Sequence, residues 1–159
     1  MKKIKERKIY FDMDGTIADL YSVNGWLDDL RAERTTPYQI AKPMYDMEKL
    51  NSLLETLKVF GYKIGVITWG SMDASDLFDI QTKRVKREWI KKNLPAIKEF
   101  HYQRYGTPKH RASYQNIRIN HDILIDDNAE VRKNWERKGG IAINPTNTNL
   151  FIELSKLIS

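Results

Sequence analysis

Lys8-Ile9-Tyr10-Phe11-Asp12-Met13-Asp14-Gly15-Thr16 is a short apolar run of β-formers that ends in two carboxylates one residue apart and a glycine. Ile9, Tyr10 and Phe11 read as a strand buried in a sheet. In an open α/β sheet, ligands bind at the carboxyl ends of the central strands. Side chains at i and i+2 of an extended segment point the same way, so Asp12 and Asp14 are expected on one side of the chain. Two anions held together repel and split their pKa values unless a cation lies between them. An Asp-Gly pair alone is an ordinary turn signal, and Asp12 could simply cap the next segment. The full string Asp12 to Thr16 behind an apolar strand is rarer, arising by accident roughly once in several hundred chains of this length. It therefore reads as a site.

Outward from that strand, apolar patterning alternates between the two periods. Met44 to Phe60 carries a helical stripe through Met47, Leu50, Leu53, Leu54, Leu57 and Phe60, ended by Gly61. Lys63 to Trp69 is the next buried strand, and Ser71 or Asp73 is expected to cap a long helix running to Asn93 with Phe78, Val85 and Trp89 inward. A short strand follows in Phe100 to Tyr105 and a fourth in Asp122 to Ile125. Asp127 and Glu130 resemble a capping box for a helix with Val131 and Trp135 inward, stopped by Gly139-Gly140. Ile141 to Ile143 is a fifth strand, and Leu150 to Ile158 closes the chain as an amphipathic helix. Alternation of this kind predicts an α/β fold, a parallel sheet with helices on both faces.

The 159 residues suit one domain. Residues 17–43 form its irregular part, with a short helix expected near Gly25 to Arg31 and another after Thr36-Pro37. A long connection between regular elements is usually functional, and this one leaves from the strand end, so a small cap over the site is expected. No apolar run has membrane-spanning length, the basic N-terminus lacks a signal-peptide pattern, and there is no cysteine. A cytoplasmic protein without disulfides or thiolate chemistry is the expectation. The net charge of +6 favours a phosphorylated or polyanionic partner. His101, His110 and His121 have no metal-ligand spacing.

Further polar groups fall at the ends of the expected strands. Thr68 ends the second, with the amides of Trp69 and Gly70 beyond it. Asp126 and Asp127 end the fourth, and Lys109 lies in the loop before it. Each has a dull explanation alone, as a turn, a cap or a solvated lysine; gathered on one rim they suit phosphoryl transfer. A hard divalent cation with oxygen ligands, Mg²⁺ above all, would be held by Asp12 and the acidic pair. One carboxylate can attack phosphorus, another can pass a proton, and Thr68, backbone amides and Lys109 can stabilise the equatorial oxygens.

These motifs resemble those of the haloacid-dehalogenase-like (HAD) hydrolases. The first is similar to Asp12-Met13-Asp14-Gly15-Thr16, the second to Val66-Ile67-Thr68, and the fourth to Ile123-Leu124-Ile125-Asp126-Asp127. Lys109 is the best match to the third, with Lys98 and His110 flanking it as other basic residues. The resemblance implies a Rossmann-like three-layer parallel sheet with a small cap insert after the first strand. It also implies Asp12 as nucleophile, Asp14 as general acid/base, and Mg²⁺ on Asp12, the Asp14 main-chain carbonyl and the pair Asp126 and Asp127. An Asp two residues after the nucleophile points to a phosphatase or phosphomutase, and the small insert favours the phosphatase.

Met13 with Ile17-Ala18-Asp19-Leu20 is similar to the small 5′(3′)-deoxyribonucleotidase branch and related phage-type proteins. Tyr21, Trp26, Tyr38, Tyr45 and Trp69 supply aromatic faces on which a base could stack, or which could merely pack the insert. Asp19 could recognise sugar or base, or cap the insert's first helix. The run Lys83 to Lys92 reads as the solvated face of its helix, so a nucleic-acid surface is not favoured. A Mg²⁺-dependent phosphomonoesterase acting on a nucleotide or similar small monoester is therefore expected. The rivals are a phosphatase of DNA or RNA ends and a non-catalytic nucleic-acid or partner-binding protein.

Overall fold

The computed structural model describes residues 6–113 and 121–158; the basic residues 1–5 lie outside them. Strand β1 (Arg7–Phe11) is followed by a short β2 (Ala18–Asp19), helices α1 (Trp26–Arg31) and α2 (Thr36–Ile40), and a short β3 (Lys42–Pro43). Then come α3 (Met47–Val59), β4 (Tyr62–Trp69), α4 (Asp76–Asn93) and β5 (Glu99–Gln103). The last elements are β6 (Ile123–Ile125), α5 (Ala129–Arg137), β7 (Ile141–Ile143) and α6 (Leu150–Ser155). The main sheet has the order β5-β4-β1-β6-β7 with parallel pairing throughout, so the α/β three-layer expectation holds.

β1 lies at the centre because its neighbours are added on either side. The chain steps from β1 to β4 and outward to β5, then crosses back to β6 and outward to β7. That reversal places the crossover helices on opposite faces. Ile9, Phe11, Ile64, Val66, Ile123 and Ile125 face Leu50, Leu54 and Leu57 of α3, Trp89 and Ile90 of α4, and Leu150 and Leu154 of α6. Tyr10, Ile67 and Leu124 face Val131 and Trp135 of α5. A central strand buried on both faces needs apolar residues at every position, which is why Ile9-Tyr10-Phe11 has no alternation.

Several helix starts differ from expectation. α3 begins at Met47, where the Asp46 side chain accepts from Lys49 N at 3.1 Å, rather than at Met44. α4 begins at Asp76, capped by Ser75, and not at Ser71 or Asp73. Residues 71–75 are instead occupied in holding residues 17–43: Ser71 Oγ lies 2.6 Å from Tyr38 Oη, and the Glu33 carboxylate accepts from Ser75 N and Oγ, each at 2.8 Å. α5 is capped by Asn128, which accepts from Glu130 N and Val131 N, so Asp127 is not the cap. α6 ends at Ser155 and gives way to a 3₁₀ turn, Lys156–Ile158, shortening the expected helix.

Within residues 17–43, β2 and β3 pair as a two-residue antiparallel ribbon. Leu20, Leu30 and Tyr38 pack with Phe78 and Val85 of α4, which seats the segment beside the carboxyl ends of β1 and β4. Among the described residues no helix is long and apolar enough to cross a membrane. Leu54, fully buried in the larger core, gives a test of this packing. Leu54→Ala is expected to lower unfolding stability by about 2–5 kcal/mol in urea titrations, with an unchanged m-value.

Candidate active site

β1 and β6 are in register through Phe11↔Ile125, so the residues after them, Asp12 and Asp126, emerge side by side. The Asp12 amide donates to Ile125 O at 2.9 Å and locks that level. The chain then turns through Gly15 at φ +77°. A Cβ there would lie 2.5 Å from Asp127 Oδ2 and 2.7 Å from the Tyr21 ring, so close approach as well as handedness requires glycine. The turn delivers Thr16, fully buried, whose hydroxyl lies 3.1 Å from Asp12 Oδ2 and 3.3 Å from Asp127 Oδ1. Its oxygen also accepts from Asp127 N at 3.3 Å. Thr16 thus ties the first acidic motif to the last, a role its place in the string did not reveal.

An oxygen from each of Asp12, Asp126 and Asp127 falls within 4.8 Å of the others. Lys109, almost fully buried, bridges two of them, donating to Asp12 Oδ1 and Asp126 Oδ2 at 2.7 Å each. Asp14 is held by a different lysine. Its Oδ2 accepts from Lys86 Nζ at 2.8 Å, and the same ammonium donates to Thr68 Oγ1 at 2.9 Å and to Trp69 O at 2.7 Å. Lys86 is fully buried in the middle of α4, with the Tyr38 ring 4.4 Å from its nitrogen.

Lys86 corrects the reading of Lys83 to Lys92 as a solvated face. Lys83, Arg84, Arg87, Lys91 and Lys92 are exposed, but position 86 falls beside Val85 and within one turn of Thr82, Trp89 and Ile90, all buried. Helical spacing, applied residue by residue, would have placed it on the inner stripe.

Burial and mutual repulsion set the electrostatics. Desolvation first, then Asp12, lifts Asp126 to a pKa of about 6 despite the opposing Lys109. The same two causes lift Asp127 to about 7, with Asp126 adding to them. Asp14 is also raised, chiefly by desolvation, with Lys86 opposing. Three carboxyls above their usual range at one spot are the mark of a site built to receive positive charge. The donor set fits a hard divalent cation: clustered carboxylate oxygens, together with an Asp14 carbonyl that accepts no hydrogen bond among the described residues.

A cavity of about 920 Å³ opens over these groups. Asp12, Asp14, Lys109, Asp126 and Asp127 line its floor, while Tyr21, Trp26, Leu30 and Tyr38 of residues 17–43 line its roof. Trp69, Gly70 and Tyr105 contribute from the β4 and β5 side. Asp19, in β2, is not among the lining residues, nor are Thr68 and Lys86, which lie fully buried behind Asp14. Tyr45 packs edge-on against Phe151 at 5.9 Å, away from the cavity. The Gly70 amide is already bonded to Gln103 O, whereas the Met13 and Asp14 amides donate to no acceptor among the described residues.

No family model matches the chain, and no curated protein matches it in sequence. Among solved structures it is similar to a D,D-heptose 1,7-bisphosphate phosphatase from Burkholderia thailandensis, with a TM-score of 0.53 and 14% identity over 84% of this chain and 74% of that one. At that identity the likeness concerns the fold alone, a Rossmann-type α/β architecture.

Asp126 and Asp127 have folded-state pKa values above the ordinary 3.8, so between roughly pH 4 and 7 the folded chain holds more protons than the unfolded one. Their contribution to stability is full below about pH 4 and is lost as pH rises through about 6 and 7. Without divalent cations, the melting temperature is expected to fall from about pH 5 to about pH 8, and Asp127→Asn to flatten that fall. A profile equally steep in the variant would contradict this account.

Proposed function

We propose that the chain is a Mg²⁺-dependent phosphomonoesterase that works through an aspartyl-phosphate on Asp12. One observation carries the reading: the Asp12 carboxylate sits at the mouth of the central strand, bonded to Lys109 and Thr16, within 4.8 Å of oxygens from Asp126 and Asp127. The likeness of fold to a phosphatase supports it, as does the resemblance of the four motifs.

A phosphate monoester entering the cavity meets the Lys109 ammonium, which has three N–H donors and spends two on carboxylates. The third, with the Met13 and Asp14 amides, supplies donors for the phosphoryl oxygens as charge develops. An Asp12 oxygen forms a bond to phosphorus as the bond to the ester oxygen breaks, and Asp14 passes its proton to the departing alkoxide. Water then attacks the same phosphorus, returning its proton to Asp14 as the Asp12–phosphorus bond breaks and inorganic phosphate leaves. Asp12, Asp126, Asp127 and the Asp14 carbonyl would hold Mg²⁺, which supplies charge neutralisation for the phosphate and for the clustered carboxylates. Thr68 orders the floor beneath Asp14, and Trp69 flanks it.

In this reading, the whole chain is one domain and residues 17–43 are its small cap. The substrate class is a nucleotide or similar small monoester, because Tyr21, Trp26, Tyr38, Trp69 and Tyr105 surround the cavity above the phosphate position. Asp19 is proposed to orient the cap's ribbon toward sugar or base. The cysteine-free chain suits a reducing compartment, and the cytoplasm is the one proposed.

Hydrolysis of an aryl phosphate with Mg²⁺ is expected to drop by roughly 10³-fold or more in Asp12→Asn. Wild-type turnover no greater than that variant's, over a broad monoester panel, would defeat the enzyme reading. Trp26→Ala is expected to raise KM for nucleoside monophosphates about tenfold while sparing small aryl phosphates. Preference for end-phosphorylated oligonucleotides that collapses with added salt would move the substrate to nucleic-acid ends.

A further inference from the structure

Lys86 is a second fully buried lysine at the site, and no motif accounts for it. Its ammonium has three donors, and all three are taken within the chain, by Asp14 Oδ2, Thr68 Oγ1 and Trp69 O. None remains for a phosphate oxygen, and Lys86 is absent from the cavity lining. Lys109 differs on both counts, facing the cavity and keeping one donor in reserve.

We propose that Lys86 is a positioning residue for the leaving-group half of the reaction, fixing the Asp14 carboxyl and the Thr68 hydroxyl without touching substrate. This rests on the phosphomonoesterase reading above. Holding Oδ2 leaves Asp14 Oδ1, to which no group bonds among the described residues, as the oxygen that carries the proton toward the departing ester oxygen. Donation to Thr68 Oγ1 occupies that oxygen as acceptor and leaves its O–H to donate elsewhere. Two features keep the ammonium itself from moving: the Trp69 carbonyl at the end of β4, and the Tyr38 ring from the insert. A purely structural role is a weaker account. An apolar side chain at position 86 would pack among Thr82, Val85, Trp89 and Ile90 without the desolvation cost of a buried charge.

The leaving group separates the two accounts. A nitrophenyl phosphate departs without a proton, whereas an alkyl phosphate needs one. In Lys86→Met, kcat for an alkyl phosphate is expected to fall about 10²-fold or more and kcat for the nitrophenyl ester less than about tenfold. The inhibition constant of inorganic phosphate is expected to stay within about threefold, whereas Lys109→Met raises it. In an Asp14→Asn background, Lys86→Met should cost little more, because the two act as a unit. Lys86→Gln, which keeps an N–H donor, gives the same ratio of losses if the Met variant does not fold. Equal losses on both esters, a marked rise in the phosphate inhibition constant, or unfolding of both variants would overturn the proposal. Wild-type protein inert toward both esters would instead defeat the phosphomonoesterase reading, and this inference with it.

Discussion

Like charges gathered at the mouth of two adjacent parallel strands are the constraint around which the site is organised. The β1–β6 register sets Asp12 beside Asp126, Asp127 follows directly after, and the turn through Gly15 brings in Thr16. In water such a cluster would disperse; here the sheet holds it, and burial makes the repulsion stronger. Lys109 offsets part of it by bridging Asp12 and Asp126, and Thr16 offsets a smaller part through its hydroxyl. Burial first, and the neighbouring Asp12 charge second, raise the pKa values of Asp126 and Asp127. Neutral side chains after β1 and β6 would leave the sheet's apolar core untouched, but they would strand the buried Lys109 ammonium that Asp12 and Asp126 hold.

A second lysine divides the labour. Lys109 bridges Asp12 and Asp126, and Lys86 holds Asp14 and the end of β4. The α4 helix that carries Lys86 is also the helix on which residues 17–43 rest, through Leu30 and Tyr38 against Phe78 and Val85. The same residues are fastened at the start of α4 by Glu33 on Ser75 and Tyr38 on Ser71. Tyr38 is thus both a wall of the cavity and a neighbour of the Lys86 ammonium. Residues 17–43 thus reach Asp14 through Tyr38 and the Lys86 ammonium.

The sheet was legible because its signals are local. Ile9-Tyr10-Phe11, Ile123-Leu124-Ile125 and the stripe through Leu50, Leu54 and Leu57 carry strand and helix periods that survive without knowledge of partners. Helix starts were less legible. Ser71, Asp73, Ser75 and Asp127 with Asn128 all offer capping side chains, and the choice among them fell to what else each residue touches. Asp127 is drawn to Thr16, leaving the cap to Asn128; Ser71 is drawn to Tyr38. Tyr45 shows the same limit, since an aromatic in a connection does not announce which side it packs on.

By itself the sequence determined the alternating elements and the grouping of acids at strand ends, because periodicity and strand-end position are properties of neighbouring residues. Only the tertiary structure decided which lysine serves which carboxylate, because Lys86 and Asp14 are 72 residues apart and Lys109 and Asp12 are 97. Such pairings depend on how α4 and the loop before β6 lie across the sheet. Helical spacing puts Lys86 on the buried stripe of α4, but only the packing of that helix sets its ammonium against Asp14.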